Sequence, residues 1–540
     1  MNSPPKPRLS GWFVVPLVVA AEIMIGFNLW SDNYVWVDGM QNTWILCIVC
    51  YLGLLSAKIM YRQNQGEKSF QKPVKLILKV IFLISASHFL TEAENVVLAQ
   101  PIGRVLDVRG YGLDIPPGEV AAGKNAVVRT RDRYGNQVLA RVQVNVGENR
   151  VVLLPDGQLV ARHQREAILV DESFEKADMV QLGKQLLAQE FPGFRFKRTA
   201  NYIYIYNTSE NFATSTSKIL EMMTPGIIGY MKNLGLAVHQ PEVPLVVVMF
   251  KTEEEFRRYR KIPDGMIAYY HTLTNRVVMH EESRLNSIKP ELALKQKINT
   301  IAHEGVHQLL HNIGVQTRMS AWPMWITEGI AEYLSPTTTG KYMRWKGAGQ
   351  VNDFRMMELE QFLQVSTQVT QSPGDWLTET ILASRLDSKG YASAWALTHY
   401  LAKTRRTQFN AYVQDLQKLG PLDGGYRVVG NGTVPKHREL YAKHFDADLA
   451  MTEKRLRQYL PKLPYVDPLT EFPHVTVMIG FTVNGRFQKM GGVFHNPAFA
   501  QQWVTNKVAE LKLLPRSVKT EIKSFDNRIL AERYLRANLQ

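Results

Sequence analysis

Two histidines and a glutamate near the middle of the chain are spaced as metal ligands and a catalytic base would be: His303-Glu304-Gly305-Val306-His307. The residues around this pentapeptide have helical spacing, and positions i and i+4 of a helix share one face. Both imidazoles can therefore reach one tetrahedral ion at about 2.0–2.1 Å. Glu304 points about a quarter-turn away, beside the open coordination position, where a carboxylate can take a proton from metal-bound water.

A third ligand is needed, because a pattern of five residues is short enough to arise by chance. His311 lies eight residues after His303, too far along the axis of a continuous helix. The longer spacing, in which a glycine and a third histidine follow the motif, is excluded because Leu310 and Ile313 stand at those positions.

A downstream carboxylate is the better candidate for the third ligand. Residues 325–333 read Trp-Ile-Thr-Glu-Gly-Ile-Ala-Glu-Tyr, which is typical of a short helix with Glu328 and Glu332 on one face. One carboxylate can complete a zinc shell, and the other can accept the free ring N–H of a ligating histidine and fix its tautomer. We assign Glu328 as the ligand and Glu332 as the supporting group. The reverse assignment and a solvated acidic helix face are the alternatives.

The H-E-x-x-H motif, followed about twenty residues later by W-x-x-E-G-x-A-E-Y, resembles the gluzincin, or peptidase-MA-like, zinc metallopeptidases. Within that clan the chain is similar to a bacterial family of metallopeptidases whose function is unassigned. The strand 202–206, the hairpin 268–278 and the segment 391–401 share this resemblance, which covers about residues 190–463.

The resemblance implies a zincin core, in which a twisted sheet lies over the active-site helix and its edge strand pairs with an extended peptide. It implies peptide hydrolysis with one zinc ion, in which Glu304 takes a proton from water and returns it to the leaving amine. A separate donor should stabilise the oxyanion, and Tyr391 is our first choice. A core tyrosine is the alternative reading of Tyr391, and Tyr333 and His399 are weaker candidates for the donor. No exopeptidase motif is evident, so we expect an endopeptidase.

The composition of the 540 residues is globular, with 45% hydrophobic and 21% charged residues and a net charge of +15. Lysines and arginines alternate with acids throughout, which favours a basic soluble surface over a nucleic-acid interface. The two cysteines, Cys47 and Cys50, give no disulfide framework. All metal ligands outside that pair must therefore be histidine or carboxylate.

Three apolar stretches open the chain, at about 11–30, 43–61 and 74–90. The first two are close to the ~20 residues that cross a bilayer, and the third resembles a signal-peptide core with a cleavage point after Ala99. The positive flanking charges place the start of the chain in the cytoplasm. We therefore expect a membrane-anchored protein with an extracytoplasmic catalytic domain, or an exported one if it is cleaved. A true start at Met60 and a buried helix pair are the alternatives.

The remaining patterns divide the chain after the membrane and signal-like region 1–99. Alternating apolar residues between turn clusters predict a small all-β domain of SH3-like size, with about five strands, in 101–165. Strands followed by helices predict an α+β, zincin-like catalytic domain in 166–463. A proline-rich linker leads to a small α/β tail in 464–540. Nothing in the β domain suggests chemistry, so we interpret it as an adaptor or spacer.

These observations predict a zinc metallopeptidase that acts outside the cytoplasm on a peptide or protein substrate, attached to the membrane through its N-terminal segments and without a nucleic-acid partner. One alternative is a binding or scaffold protein of the cell envelope that keeps a zincin fold without catalysis. Another is a protease that cuts inside the bilayer. The charged Glu291, Lys295 and Lys297 in the motif helix argue against that second alternative.

Overall fold

Strands dominate the described chain as far as residue 282 and helices dominate from 290 to 459, which gives a mixed α+β architecture. The computed structural model describes residues 105–282, 290–338, 344–365, 372–423, 426–429 and 432–539. These residues belong to one compact unit, Gly103–Gln540. The α+β class predicted from the sequence is confirmed.

The helices are α1 (Met179–Gln189), α2 (Glu210–Asn233), α3 (Glu253–Tyr259), α4 (Pro290–Asn312), α5 (Met324–Leu334), α6 (Asp353–Val365), α7 (Asp375–Leu382), α8 (Ser388–Thr404), α9 (Arg406–Gln417), α10 (His437–His444), α11 (Leu449–Tyr459), α12 (Pro497–Glu510) and α13 (Arg528–Leu539). The strands are β1 (Val105–Leu106), β2 (Gly118–Ala122), β3 (Val127–Arg131), β4 (Gln137–Val146), β5 (Asn149–Leu153), β6 (Leu159–His163), β7 (Ile168–Val170), β8 (Arg195–Arg198), β9 (Tyr202–Tyr206), β10 (Leu245–Thr252), β11 (Ala268–His271), β12 (Arg276–Glu282), β13 (Thr337–Thr338), β14 (Arg344–Trp345), β15 (Tyr426–Val429), β16 (Gly432–Pro435), β17 (His474–Val483), β18 (Arg486–Phe494) and β19 (Lys519–Phe525).

Strands β1 to β7 form one antiparallel sheet, which we call the β-unit (105–170). The long strand β4 pairs with β2, β3 and β5, and its register shifts between Val142 and Val144. The two apolar clusters of the β-unit meet at this shift, since Val142 belongs to one cluster and Val144 to the other. The β-unit has seven strands where the turn clusters predicted about five.

The central sheet has the order β11-β12-β10-β9-β8. Strands β9, β10 and β12 are parallel, and the two edge strands run antiparallel to their neighbours. The parallel strands are buried on both faces, as their nearly continuous apolar sequences require. Side chains such as Ile203 and Val248 pack toward α1 and α3, whereas Tyr204 and Val247 pack toward α2 and α4.

The helical region is built around α8, in which every residue from 392 to 402 is buried. An Asp387 side chain caps its N-terminus by accepting the amide of Gly390 at 2.7 Å. Helix α5 lies against α8 so closely that a methyl group on Gly329 would stand 2.6 Å from the carbonyl oxygen of Ala394. These two helices carry three of the residues that the sequence assigns to the site.

The C-terminal strands form a separate antiparallel sheet in the order β18-β17-β19, which α12 and α13 cover. Trp503 of α12 packs against Val477 and Ile479, and Val365 from the end of α6 joins the same apolar cluster. We call residues 474–539 the C-terminal unit. Its three strands and two helices lie in the region 464–540, for which the sequence predicts a small α/β tail.

The predicted localisation is corrected by the helices themselves. Within the described ranges, no helix is long and apolar enough to cross a membrane. Helices α2 and α4 reach the ~20 residues of a span but carry several charged side chains each. The prediction of a membrane-anchored or exported protein with an extracytoplasmic catalytic domain is therefore withdrawn. The segments 11–30, 43–61 and 74–90, and the cleavage point after Ala99, lie outside the described residues.

Candidate metal centre

Helix α4 presents the H-E-x-x-H residues on one side and packs the opposite side under the central sheet. Ile301, Val306 and Leu309 belong to the main apolar core with the Tyr204 face of the sheet. His303 and His307, one turn apart, point instead toward α5 and are 7% and 8% exposed. The helical pattern thus fixes both imidazoles on the side that faces Glu328.

Three side-chain atoms converge at this point, one each from His303, His307 and Glu328. The Nε2 atom of His303 lies 3.0 Å from Oε2 of Glu328 and 3.1 Å from Nε2 of His307. Nε2 of His307 lies 3.2 Å from the same oxygen. Tetrahedral ligands at about 2.0–2.1 Å from an ion stand about 3.3 Å apart. This triangle therefore has the size and the donor types that fit one zinc ion.

A second group of histidines and an acid provides a contrast. Asp467, His474 and His495 also bring ligand atoms together, but Nη1 of Arg528 lies 2.8 Å from the same Asp467 oxygen that faces both imidazoles. A guanidinium at that oxygen opposes a divalent cation. Among the described residues, no lysine or arginine makes an ion pair with Glu328. We therefore treat the first group as the metal candidate and the second as an ion-pair network.

Burial and the neighbouring charges act in opposite directions on these groups. Burial raises the pKa of Glu328, but the imidazoles of His307 and His303 outweigh it and hold that pKa well below its usual range. Burial likewise disfavours the charged form of His303, yet the carboxylates of Glu332 and Glu328 hold its pKa well above the usual value. A histidine must lose its proton to bind a metal ion. The carboxylates that hold a proton on His303 would equally favour a metal cation in place of that proton.

Glu332 lies behind His303, on the side away from the ligand triangle. Its Oε1 atom is 3.1 Å from Nδ1 of His303, at an angle outside ordinary hydrogen-bond geometry. Asn352 donates to its other oxygen at 2.7 Å, and Arg355 donates to Oε1 at 2.8 Å. Burial opposes ionisation of Glu332, but Arg355 and His303 lower its pKa to about 2. Glu332 is thus a charged, fixed partner for the ligand ring.

Asn352 and Arg355 were not found from the sequence. They lie at the start of α6, some twenty residues after Glu332, and no spacing rule connects one helix to the beginning of another. Their roles depend on the packing of α6 against α8. That contact brings the start of α6 to the buried side of His303.

Tyr391 stands on the open side of the centre. Its ring centroid is 6.1 Å from that of His303, and the Arg355 guanidinium lies 5.1 Å above its ring. Burial and the nearby carboxylates, those of Glu328 and Glu304 above all, raise the pKa of the phenol. It therefore stays protonated and can donate. The other two donor candidates lie elsewhere, since Tyr333 and His399 pack against each other with centroids 5.7 Å apart.

The edge strand β11 reaches the site with its backbone. The Tyr270 N–H, on the unpaired side of β11, donates to Oε2 of Glu304 at 2.8 Å. Burial raises the pKa of Glu304, and this amide and the two imidazoles offset only part of the effect. His311, the rejected ligand candidate, stacks on the Tyr270 ring with centroids 5.5 Å apart and lies outside the triangle.

Three neighbouring cavities lie at the centre. A cavity of about 180 Å³ is lined by His303, Glu304 and Tyr391. It shares Gln296 with a cavity of about 590 Å³ beside the start of β11. It shares Asn352 with a third cavity, of about 520 Å³, that reaches the linker before the C-terminal unit. The small cavity at the centre therefore adjoins two larger ones.

Comparison with known families adds one match. Residues 297–423 match the family described as Protein of unknown function (DUF1570). No curated protein matches the chain. The matched segment contains the metal candidate, Glu304, the supporting groups at 332, 352 and 355, and Tyr391. All the side chains that form this centre therefore lie in the part of the chain that the family shares.

Proposed function

We propose that the chain is a zinc-dependent endopeptidase of the gluzincin type, in which His303, His307 and Glu328 hold one zinc ion. The observation that carries the proposal is the triangle of three donor atoms 3.0–3.2 Å apart, with an ionisable carboxylate beside it. Zinc in such a site lowers the pKa of water and polarises a carbonyl group. The strands, motif helix and downstream acid also agree with the zincin arrangement that the sequence resemblance implies.

Glu304 is the proposed base. It lines the same cavity as His303, and its pKa, raised by burial, brings the carboxyl closer to the working range of an acid and base pair. It accepts the proton of the attacking water and delivers it to the leaving amine. The Tyr270 N–H restrains one of its oxygens, which leaves the other free to face the substrate.

Tyr391 is the proposed donor to the oxyanion. Within the described residues its hydroxyl makes no hydrogen bond that would compete with a substrate, and its ring is fixed between His303 and Arg355. A neutral phenol that points into the cavity can donate when negative charge develops on the carbonyl oxygen.

The adjoining cavities support an endopeptidase. An extended peptide can enter beside the start of β11, pass the centre and leave toward 466–471. The unpaired edge of β11 offers main-chain groups along the first part of this path.

The test combines metal content with hydrolysis of a mixed peptide library by the full chain. We expect about one equivalent of zinc, internal cleavage, and a fall in kcat of at least about 10³-fold for Glu304→Gln with zinc retained. Tyr391→Phe should lower kcat about 100-fold, also with zinc retained. Glu379→Gln, an exposed acid paired with Lys389, is the matched control and should behave as wild type. Unchanged hydrolysis by Glu304→Gln would refute the mechanism, and zinc binding without cleavage would favour the scaffold alternative.

A further inference from the structure

The turn that joins β11 to β12, residues 272–275, is packed into the β-unit. The Leu159 N–H of β6 donates to the Leu273 carbonyl at 2.7 Å. The Leu273 side chain joins the β-unit cluster that contains Val144 and Val151, and it comes so close to Gly112 that a methyl group there would lie 3.3 Å away. One end of the edge strand is therefore held by a neighbouring sheet through both backbone and side chain.

A buried arginine ties the same two parts together. Arg318 is 8% exposed and donates through Nη1 to the Gly157 carbonyl of the β-unit at 2.7 Å and to the Thr272 carbonyl of the turn at 3.3 Å. Burial lowers the pKa of this guanidinium. The Arg318 guanidinium is bonded to two carbonyl groups rather than to a carboxylate. Displacement of either segment would leave this cation less well paired, so Arg318 keeps the turn and the β-unit at a fixed separation.

A second contact holds the hairpin where β12 leaves the turn. Arg276, the first residue of β12, is 2% exposed and bonds both oxygens of Glu190 at 2.7 and 2.9 Å. Arg133 and Tyr134 of the β-unit bond the same carboxylate. Because Arg276 pairs with His271, the last residue of β11, this contact holds the same end of the edge strand as the turn does.

Helix α4 holds the turn from the opposite side. Asn275 and Asn312 exchange two side-chain amide bonds at 2.9 and 2.7 Å, and the Gln308 amide donates to the Asn275 carbonyl at 2.7 Å. Asn275 has a φ of 57°, which asparagine tolerates well. The turn is thus fixed between the motif helix and the β-unit, only a few residues from the Tyr270 amide that bonds Glu304.

We propose that the β-unit is a positioning element of the active centre, which sets the place of Glu304 by holding the edge strand β11 over α4. Leu273 and Arg318 are the positioning residues. The catalytic consequence rests on the proposed function, whereas the mechanical part does not. This replaces the interpretation of residues 101–165 as a spacer, since a spacer would have no reason to pack against the half-buried Leu273 or to bond the turn that follows β11.

Hydrogen exchange of the full chain tests the mechanical part directly. Leu273→Ala should make the amides of 268–271 exchange about tenfold faster, because local opening of the strand becomes easier, while those of β9 and β10 stay protected. Val128→Ala is the matched control: it shortens a fully buried side chain in the other β-unit cluster, away from the turn. It should leave 268–271 unchanged, and Leu273→Met should restore most of the protection. Equal acceleration in both alanine variants, or none in Leu273→Ala, would overturn the proposal.

Kinetics test the catalytic part. Leu273→Ala should lower kcat about 10- to 100-fold, as small displacements of a catalytic group do. It should keep its zinc because, among the described residues, the hairpin makes no hydrogen bond or ion pair with the three ligands. Val128→Ala should keep kcat at a temperature where both variants are fully folded. A loss of kcat equal in the two variants would show a general stability effect and would contradict the proposal. If no variant and no wild-type protein cleaves peptides, the proposed function fails, while the exchange result still decides whether the β-unit holds the strand.

Discussion

Each ring nitrogen of His303 faces a different carboxylate. Nε2 faces the ligand triangle, and Nδ1 faces Glu332. A proton on Nδ1 lets Glu332 hold the ring and leaves the Nε2 lone pair for an ion. Two donors, Asn352 and Arg355, hold the Glu332 carboxylate in place, and Arg355 with the nearby His303 keeps it ionised.

Glu332→Gln should therefore weaken zinc binding about 10- to 100-fold without removing any ligand. The glutamine amide has one acceptor oxygen where the carboxylate has two. It also loses the ion pair that Glu332 makes with Arg355 at 2.8 Å. Competition with a chromophoric chelator measures the affinity. Glu358→Gln is the control, because Glu358 also pairs with Arg355, at 2.6 Å, while the ion pairs of His303 in the described part of the chain are with Glu328 and Glu332. Equal weakening in both variants would mean that Arg355, rather than the carboxylate behind the ring, is what supports the site.

At the level of elements, the close contact of α5 with α8 explains the glycine of the W-x-x-E-G-x-A-E-Y segment. A methyl group at Gly329 would lie 2.1 Å from Oγ1 of Thr398, besides the Ala394 carbonyl at 2.6 Å. Neither a helix backbone nor a buried threonine can move aside locally. Gly329 therefore sets how near Glu328, its neighbour in the chain, comes to the two histidines.

Gly329→Ala should lower the free energy of unfolding by about 1–3 kcal/mol through overpacking and should weaken zinc binding, because α5 must shift with Glu328 on it. Gly305→Ala, inside the motif itself, is the comparison. Its methyl group would meet only the side chain of Leu220, with Cδ2 at 2.3 Å and Cγ at 3.8 Å, and the end of that flexible side chain can rotate away. Thermal unfolding and chelator competition measure both effects. A larger loss for Gly305→Ala than for Gly329→Ala would contradict this account of α5.

The sequence predicts best those helices, strands and turns whose conformation depends mainly on their own residues. The hairpin 268–278 follows from two apolar runs around a short turn that contains two threonines and an asparagine, and β9 and β10 follow from continuous apolar sequence. The residues missed at the site are those placed by tertiary packing. Arg355 reaches Glu332 only because α6 crosses α8, and the Tyr270 amide reaches Glu304 only because β11 is an edge strand. A backbone donor leaves no signal in residue types at all.

On the scale of the whole molecule, α6 connects the centre with the C-terminal unit. Near its start Arg355 bonds Glu332, and further along Glu360 bonds both Nη atoms of Arg528 at 2.6 and 2.8 Å. Arg528 in turn contacts Asp467, the acid of the second histidine cluster. The sequence of 464–540 carries no readable motif, and what the structure shows there is packing, because Val365 from α6 enters the apolar core of the C-terminal unit. The C-terminal unit thus packs against α6, the helix from which Arg355 bonds Glu332.

Asp467 lies at the centre of this ion-pair network, and its ionisation should make the free energy of unfolding depend on pH. Burial opposes the charge, but His474, His495 and Arg528 outweigh it and hold the Asp467 pKa far below its usual range. The folded state therefore binds this proton less tightly than the unfolded state does. The resulting stability is complete above the unfolded pKa of about 3.9 and is lost as the pH falls through the lower folded value. Glu360, Glu532 and Tyr465 are the other titratable groups in contact with this network.

Asp467→Asn should then reduce the free energy of unfolding at pH 7 by about 3 kcal/mol, the low end for a buried pair that loses one partner, since the amide oxygen can still accept one bond. The difference from wild type should stay constant down to about pH 4 and shrink below it. Denaturant titrations over that pH range measure the effect, and hydrogen exchange around Trp503 follows the unfolding of the C-terminal unit. Glu532→Gln, whose partly exposed acid also pairs with Arg528, at 2.8 Å, is the control and should change stability by less than about 1 kcal/mol. A difference that grows as the pH falls would mean that the protonated acid, and not the carboxylate, joins the C-terminal unit to α6.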